Sequence, residues 1–141
     1  SEPVFLAILN GSFIFAADLM REIELSAQIS FVKLASYVGT SSTGSVCEMI
    51  GLNVDISGRD VVVVEDIVDS GLTMKYVTEM LAKYNPRSIS ICTLLLKPGN
   101  LKVDLDIPYK CFSIPNDFIL GYGLDYDGYG RNTRDIYTVV E

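Results

Sequence analysis

Four consecutive valines at positions 61–64 are the feature that most constrains the fold of this 141-residue chain. β-Branched side chains favour extended backbone, and a strand that is apolar at every position is buried on both faces. A helix-length segment at 72–84 follows the valines, and a second apolar run at 88–96 follows that segment. A strand, a helix and another strand in this order predict a parallel sheet with helices packed on it.

Other segments of the sequence extend this pattern. A segment at 12–23 places apolar residues at helical spacing, with Ser12 as its candidate N-cap. About half of the residues, 49%, are hydrophobic, which is enough for one compact core. We therefore predict a single α/β domain over 1–141, with a mostly parallel central sheet flanked by helices. The remaining predicted strands are 4–9, 29–37, 109–114 and 136–140.

The charge of the chain limits its partners. A net charge of −7 and a pI near 4.5 argue against a nucleic acid or an anionic membrane surface as a partner. Small phosphorylated ligands stay compatible with this charge, because backbone amides, a few Lys or Arg side chains and a divalent metal can bind them. No apolar run has the length of a membrane span, and the opening residues lack the pattern of a signal peptide.

The cysteines and histidines restrict the chemistry. Cys47, Cys92 and Cys111 have no paired spacing, so we expect neither disulfides nor a zinc site, and we expect a reducing, cytoplasmic setting. The sequence contains no histidine, which removes the most common general base. Acid–base catalysis must then come from carboxylates, Lys, Tyr or Cys.

Three carboxylates, Glu65, Asp66 and Asp69, follow the valines within five residues, and like charges rarely crowd together for stability alone. The stretch "DSGLT" at 69–73 places a glycine and two hydroxyls at the start of the helix at 72–84, where free backbone N–H groups attract anions. A helix cap would account for one carboxylate. A diol, a metal ion or a reacting base is needed to account for the other two.

This acidic pair, followed after two residues by Asp-Ser-Gly-Leu-Thr, resembles the phosphoribosyl pyrophosphate (PRPP) signature of the type I phosphoribosyltransferases. The segments "ILNGSFIFAADL", "SYVGTSSTG", "LLLKP" and "IPNDFILGYGLDYDGYGRN" resemble the 6-oxopurine branch, the hypoxanthine-guanine phosphoribosyltransferases. The resemblance implies the type I fold, with a small hood formed by about 1–3 and 97–120 and a flexible lid loop at 36–46. It also implies a homodimer or homotetramer.

The implied reaction belongs to purine salvage. It transfers the 5-phosphoribosyl group of PRPP to N9 of hypoxanthine or guanine, gives IMP or GMP and pyrophosphate, passes through an oxocarbenium-like ribosyl centre and requires Mg²⁺. In the family pattern Glu65 and Asp66 bind the ribose hydroxyls, and Asp69 faces N7 of the base as general base or acid. The loop that binds the 5′-phosphate consists of Asp69, Ser70, Gly71, Leu72 and Thr73.

On the purine side, the resemblance makes Lys97 the donor to the 6-oxo group, which would repel the amino group of adenine. Phe118 would stack on the base, and the backbone of Ile119 would meet the base edge. Composition alone favours other interpretations, because a lone Lys after a strand is usually solvated and a Phe is usually part of the core.

On the pyrophosphate side, Leu9, Asn10 and Gly11 match the binding turn and Arg131 matches the residue that binds pyrophosphate oxygens. Asp125 matches the ligand of a Mg²⁺ ion carried by pyrophosphate, with Glu65 and Asp66 as further candidate metal ligands. The remaining predicted pyrophosphate residues, Ser36 and Tyr37, open the lid loop.

Two departures from the family pattern stand out. Asn10 occupies a position where many members carry Lys. The sequence begins at Ser1, close to the first strand and without the preceding helical segment usual in the family, so we expect it to be trimmed or processed. Two alternatives stay open: a regulatory homologue that binds PRPP as a signal, or the same chemistry with xanthine preferred. A pyrimidine substrate is disfavoured by Lys97 and Phe118.

Overall fold

The computed structural model describes residues 2–38 and 45–140, which form a six-stranded and a two-stranded sheet. The larger sheet has the order β3-β2-β1-β4-β5-β6, with β2 and β3 antiparallel and the other neighbours parallel. The predicted mostly parallel α/β fold is confirmed. The elements are β1 (Val4–Leu9), α1 (Phe13–Glu22), β2 (Gln28–Val38), β3 (Ser45–Ile50), β4 (Asp60–Val68), α2 (Leu72–Ala82), β5 (Ser88–Leu96), a 3-10 turn (Pro98–Asn100), β6 (Tyr109–Ser113), β7 (Ile119–Leu120) and β8 (Tyr137–Thr138).

The valine run fills both layers of the core. Val61 and Val63 belong to the cluster that contains Met74, Val77 and Leu81 of α2. Val64 belongs to the opposite cluster, which contains Phe15 and Ala16 of α1. Burial of such an aliphatic side chain contributes about 1.5–3 kcal/mol relative to exposure. Because β4 is covered on both faces, its side chains must be apolar at successive positions rather than at alternate ones.

The parallel strands β1, β4 and β5 bring three chain segments to one edge of the sheet. Their carboxyl ends are Leu9, Val68 and Leu96, and β4 is hydrogen-bonded to both of its neighbours. The residues that follow these strands therefore lie close together, as ligand-binding segments do in parallel α/β sheets.

Strand β4 is longer than the valine run. Its pairing with β5 continues through Glu65, opposite Thr93, and Val68, opposite Leu96. Glu65 and Asp66 therefore lie within the strand, and of the three carboxylates only Asp69 follows its end. The prediction placed all three at the exit, because periodicity does not show where a hydrogen-bonded ladder stops.

The segment predicted as a lid loop is partly strand. Residues 36–38 end β2 and residues 45–46 begin β3, which pairs antiparallel with β2. The side chains of Ser36 and Tyr37, and all of 39–44, lie outside the described residues, so the predicted lid is described only at its ends. The Gly, Ser and Thr content of this segment concealed β3, whose pairing depends on its partner strand.

The strands within the predicted hood segment belong to two different sheets. Tyr109–Ser113 belongs to the main sheet as its edge strand β6, whereas Ile119–Leu120 pairs with Tyr137–Thr138 in a separate small sheet.

The predicted N-cap of the first helix is not formed by a side chain. Ser12 precedes α1, but its hydroxyl donates to Ile8 O at 2.5 Å and makes no capping bond. Among the described residues, no helix has the length and apolarity needed to cross a membrane.

Candidate active site

A cleft of about 430 Å³ lies at the carboxyl edge of the sheet. A smaller cavity of about 90 Å³ adjoins it, shares Glu65 and Asp69 with it and is lined by Ser70, Gly71 and Thr73. The structure thus brings together most of the residues predicted from widely separated segments. The predicted residues that line the cleft are Leu9, Asn10, Gly11, Glu65, Asp66, Asp69, Lys97, Phe118, Ile119, Asp125 and Arg131.

The loop before α2 has the geometry of an anion-binding turn. Gly71 is the N-cap residue with a φ of +87°, a left-handed conformation that favours glycine. The hydroxyl of Ser70 accepts from the N–H of Leu72, the first residue of the helix, at 3.3 Å. A Cβ atom at this position would lie 2.9 Å from both Val103 Cγ2 and Leu105 Cδ1. The side chain of Leu72 is exposed and lines neither cavity. The loop therefore offers hydroxyls and backbone rather than a bulky side chain to a ligand.

The acidic pair combines a buried and a half-buried carboxylate. Glu65 is buried, and its Oε1 accepts a hydrogen bond from the backbone N–H of Asp66 at 3.0 Å. Asp66 Oδ1 in turn accepts from the N–H of Ile67 at 2.7 Å. Burial, and secondarily the adjacent charge of Asp66, raise the pKa of Glu65 well above its usual range. Glu65 therefore holds a proton more readily than an exposed glutamate.

Asp69 lies between two donors. Asn100 Nδ2 donates to its Oδ1 at 2.8 Å, and the ammonium of Lys97 lies 3.3 Å from Oδ2. The hydrogen bond from Asn100, and secondarily that from Lys97, lower the pKa of Asp69. Lys97 is buried whereas Asp69 is half exposed. The site therefore presents an anionic carboxylate to the cleft beside a desolvated cation.

Asn100 was not identified by sequence reasoning. It follows Lys97 in the stretch "KPGN", which shows only a turn. The apolar residues Ile8, Leu34, Ile67 and Leu124 also line the cleft and were missed. Single apolar residues in strands carry no sequence signal that separates a cleft wall from the core.

The loop at 121–131 carries the predicted pyrophosphate and metal residues. Arg131 Nη1 donates to Gly123 O at 2.7 Å, and Arg131 Nη2 lies 3.4 Å from Asp125 Oδ1. The N–H of Gly128 donates to the other oxygen of Asp125 at 2.9 Å. Arg131 and Asp125 are thus held near each other at the cleft wall.

This loop is fixed to the first helix. A Cβ atom on Gly123 would lie 2.5 Å from Gly11 O, so the two backbones are in close contact. The hydroxyl of Tyr122 donates to Asp18 of α1. Burial, followed by this bond, raises the pKa of Tyr122 to about 12, so its hydroxyl stays a donor at neutral pH.

The peptide bond between Leu9 and Asn10, in the turn after β1, is cis.

Phe118 lies at the rim of the cleft rather than in the core. Its side chain is exposed, and its ring packs edge-on against Tyr126 with the centroids 5.6 Å apart. Ile119 follows as the first residue of β7. An exposed aromatic ring held by a neighbouring ring is a suitable platform for stacking.

The carboxylates of the cleft suit a hard divalent cation that also binds ligand oxygens. Glu65, Asp66 and Asp125 are oxygen donors of the type that Mg²⁺ prefers. Among the side chains that the structure describes, which exclude those of 36–47, no three acidic or cysteine groups are placed so that they alone could hold a metal. The donor set therefore fits Mg²⁺ that completes its coordination with phosphate oxygens and water.

Comparisons with known proteins show the family of the chain. The sequence profile described as "Phosphoribosyl transferase domain" matches residues 1–127. The chain is 44% identical over 137 residues to the hypoxanthine-guanine phosphoribosyltransferase of Mycobacterium tuberculosis, covering 96% of this chain and 68% of the relative. It is 45% identical over 127 residues to the hypoxanthine phosphoribosyltransferase of Escherichia coli, covering 89% of this chain and 71% of the relative.

A solved structure gives the same result. The hypoxanthine-guanine phosphoribosyltransferase of Bacillus anthracis superposes with a TM-score of 0.91 at 42% identity, covering 99% of this chain and 83% of that one. The resemblance inferred from the sequence motifs is confirmed. This chain belongs to the phosphoribosyltransferase family, in the branch of the hypoxanthine(-guanine) phosphoribosyltransferases.

Proposed function

We propose that this protein catalyses purine salvage, in which the 5-phosphoribosyl group of PRPP is transferred to N9 of hypoxanthine or guanine. The products are IMP or GMP and pyrophosphate. The observation that carries the proposal is the pair formed by Asp69 and Lys97, with Lys97 Nζ 3.3 Å from Asp69 Oδ2. The pair lines the same cleft as the exposed ring of Phe118 and adjoins the loop at 69–73. A 6-oxopurine has a proton to give up at N7 and an oxygen acceptor at position 6. Asp69 offers a proton acceptor for the first, and the buried cation of Lys97 offers a donor for the second.

Lys97 selects the purine in this proposal. Its ammonium only donates hydrogen bonds, so it pairs with a 6-oxo acceptor and opposes the 6-amino group of adenine. Phe118 stacks on the base, and the backbone of Ile119 meets the edge of the ring. The burial of Lys97 supports this role, because a hydrogen bond from a cation to an oxygen acceptor is stronger where water is excluded.

The acidic pair and the loop at 69–73 position the sugar. Glu65 and Asp66 accept hydrogen bonds from the two ribose hydroxyls, and Ser70, Gly71 and Thr73 surround the 5′-phosphate. The left-handed Gly71 and the backbone N–H groups at the start of α2 support a phosphate at this place.

Asp69 handles the proton on the purine. It accepts the N7 proton while N9 forms the glycosidic bond, and it returns a proton in the reverse direction. Its lowered pKa supports this role, because the carboxylate is in its basic form at neutral pH.

Pyrophosphate leaves toward the turn at Leu9, Asn10 and Gly11 and toward Arg131 and Asp125. Arg131 binds the departing oxygens through its fork of donors. Mg²⁺, held by Asp125 with Glu65 and Asp66 as further candidates, supplies positive charge when bound. Cation charge is needed here, because the cleft itself carries four carboxylates against two cationic side chains.

The proposal extends to the lid, the assembly and the location. Closure of 36–46, including Ser36 and Tyr37, excludes water from the ribosyl centre. We assign the chain to a cytoplasmic homodimer or homotetramer. Cys92 and Cys111 are free thiols in the described part of the chain, which supports a reducing compartment.

Steady-state assays with PRPP, Mg²⁺ and hypoxanthine, guanine or xanthine test the proposal. We expect nucleotide formation with hypoxanthine, and Asp69→Asn should lower kcat about 100-fold or more while the Kd of PRPP stays within a few-fold. PRPP binding without turnover of any of the three bases would instead identify a PRPP sensor. Turnover of xanthine alone would reassign the substrate.

A further inference from the structure

The turn that follows β5 is fixed on both sides of Asp69. The N–H of Lys97 donates to Val68 O at 3.0 Å, and the N–H of Lys102 donates to Ser70 O at 2.8 Å. Between these anchors, the N–H of Asn100 donates to Lys97 O at 3.0 Å and closes a 3-10 turn that begins with a proline. The backbone of this turn is thus held against the two neighbours of Asp69, which places Asn100 at a defined position beside its carboxylate.

The side-chain amide of Asn100 makes two hydrogen bonds. Its Nδ2 lies 2.8 Å from Asp69 Oδ1 and 2.8 Å from Asn116 Oδ1. Since a carboxylate only accepts, the nitrogen of Asn100 must face Asp69, and its second hydrogen then requires the oxygen of Asn116. One amide group therefore uses both of its hydrogens to connect two segments.

We propose that Asn100 is a positioning residue that bridges Asp69 to Asn116 and so couples the phosphate loop to the segment that carries the purine-binding Phe118. Asn116 lies two residues before Phe118, in a turn closed by the bond from the N–H of Asp117 to Pro115 O at 2.8 Å. The inference rests on the proposed function, because it assigns Asn100 an effect on Asp69 and the base rather than a separate reaction.

The bridge matters because the other partner of Asp69 has a second task. Lys97 is the proposed donor to the 6-oxo group, so part of its interaction with Asp69 is given up when the base binds. Asn100 has no such competing ligand and keeps the carboxylate oriented while N7 approaches. Besides Lys97, the charged groups around Asp69 are Lys102 on the same turn, Glu65 and Asp66 on β4, and Arg131 and Asp125 across the cleft.

Three variants isolate the bridge. Asn100→Ala removes it, Asn116→Ala removes only its far end, and Asn53→Ala is the matched control. Asn53 is an exposed asparagine that also bonds a side chain, accepting from Ser30 Oγ at 3.3 Å, but it lies outside the cleft. Asn100→Ala should lower kcat about tenfold, the order expected for a hydrogen bond to a charged group, while the Kd of PRPP stays within about twofold.

The pH profile separates positioning from a general loss of stability. Without the Asn100 donor, the pKa of Asp69 rises, so the acid limb of kcat/KM for hypoxanthine should move to higher pH in Asn100→Ala only. Asn116→Ala should lower kcat by about two- to threefold, and the double variant should be no worse than Asn100→Ala, because both residues act through one bridge. Equal profiles and kcat values for Asn100→Ala and Asn53→Ala would overturn the inference.

A titration that needs no turnover distinguishes this inference from the proposed function. The carboxyl carbon of Asp69 is assigned by ¹³C NMR through its loss in Asp69→Asn, and it is titrated in the wild type and in Asn100→Ala. A higher Asp69 pKa in Asn100→Ala supports the bridge, and an unchanged pKa overturns it, whichever purine the enzyme uses. Absence of turnover in the wild type would overturn the proposed function alone.

Discussion

The carboxylate of Asp66 lies directly against the backbone of Gly11: a Cβ atom at position 11 would stand 1.9 Å from Asp66 Oδ2 and 2.9 Å from its Cγ. This contact joins the acidic pair on β4 to the turn that follows β1. Since Gly123 contacts Gly11 O from the other loop, position 11 is enclosed by two proposed parts of the PRPP site. A glycine at this position is therefore a packing requirement of the cleft.

We expect Gly11→Ala to impair PRPP binding. The added methyl group must displace the carboxylate of Asp66, which also breaks the bond from the N–H of Ile67 to Asp66 Oδ1. Overpacking of this kind costs about 1–3 kcal/mol, which corresponds to roughly a 5- to 150-fold weaker Kd of PRPP if the loss falls on binding. Calorimetric titration with PRPP measures this change.

Gly99→Ala is the control for that experiment, because a Cβ atom there would meet nothing within 4 Å. Its Tm and its Kd of PRPP should match those of the wild type. A Gly11→Ala variant that binds PRPP as the wild type does would show that Asp66 can move without loss, and would weaken the role given to it.

Lys97→Ala should separate base recognition from PRPP binding. The substitution removes a charge-assisted hydrogen bond, worth about 1.5–3 kcal/mol, and leaves the 6-oxo group without its donor. We expect kcat/KM for hypoxanthine and guanine to fall by roughly 10- to 150-fold, with the Kd of PRPP within about threefold. Lys110→Ala, on the exposed edge strand β6, is the matched control. Equal losses for base and PRPP would indicate a general disturbance of the cleft instead.

The strands and the acidic motif could be predicted from the sequence because their signals are local. Val61 to Val64 are contiguous, and Glu65 to Thr73 form one short stretch whose residue types match its geometry. Contacts between distant segments gave no such signal. Asn100 is 31 residues from Asp69, and Tyr122 is 104 residues from Asp18, so both hydrogen bonds arise only when the sheet brings the segments together.

The same reasoning explains the errors in the predicted elements. β3 forms because β2 offers it a hydrogen-bonding edge, and β4 continues past the valines because β5 pairs with it through Leu96. A carboxylate such as Glu65 within a buried strand contradicts the usual pattern of apolar burial. Violations of that kind are expected where a site, rather than stability, determines the residue.

Asp60, the first residue of β4, lies at the end of the strand away from the cleft. Its hydrogen bonds indicate how the stability of the fold depends on pH. Arg87 donates to both of its oxygens, with Nε at 2.9 Å from Oδ1, and Ser88 Oγ donates to Oδ1 at 2.7 Å. The bonds from Arg87, followed by that from Ser88, lower the pKa of Asp60 from 3.8 to about 2. Because the folded pKa is depressed, this stabilisation is present above pH 3.8 and is lost as the pH falls toward 2.

Asp60→Asn should therefore lower the Tm at neutral pH and flatten the fall of Tm between about pH 4 and pH 2 relative to the wild type. Calorimetric melting across this range measures the difference. Asp104→Asn, at an exposed carboxylate, is the control and should keep the wild-type slope. If Asp60→Asn shows the wild-type slope as well, the Arg87 pair does not contribute to acid stability.

Asn10→Lys tests the departure from the family pattern at the pyrophosphate turn. Asn10 is exposed and lines the cleft, so a lysine there would place a cation near the most highly charged part of PRPP. At an effective dielectric near 20, the attraction amounts to about 1 kcal/mol or more, which is roughly a fivefold tighter Kd. The gain should shrink as salt is added, because screening weakens an exposed charge pair.

The added cation would bind the pyrophosphate product as firmly as it binds PRPP. The variant should therefore have higher affinity for both, while the rate of the chemical step does not increase. We therefore expect kcat to stay level, or to fall if product release limits turnover. The Kd values of PRPP and of pyrophosphate, measured for both forms at low and high ionic strength, decide the matter. Unchanged affinity at low salt would mean that position 10 does not face the pyrophosphate, and the role assigned to the Leu9–Gly11 turn would be wrong.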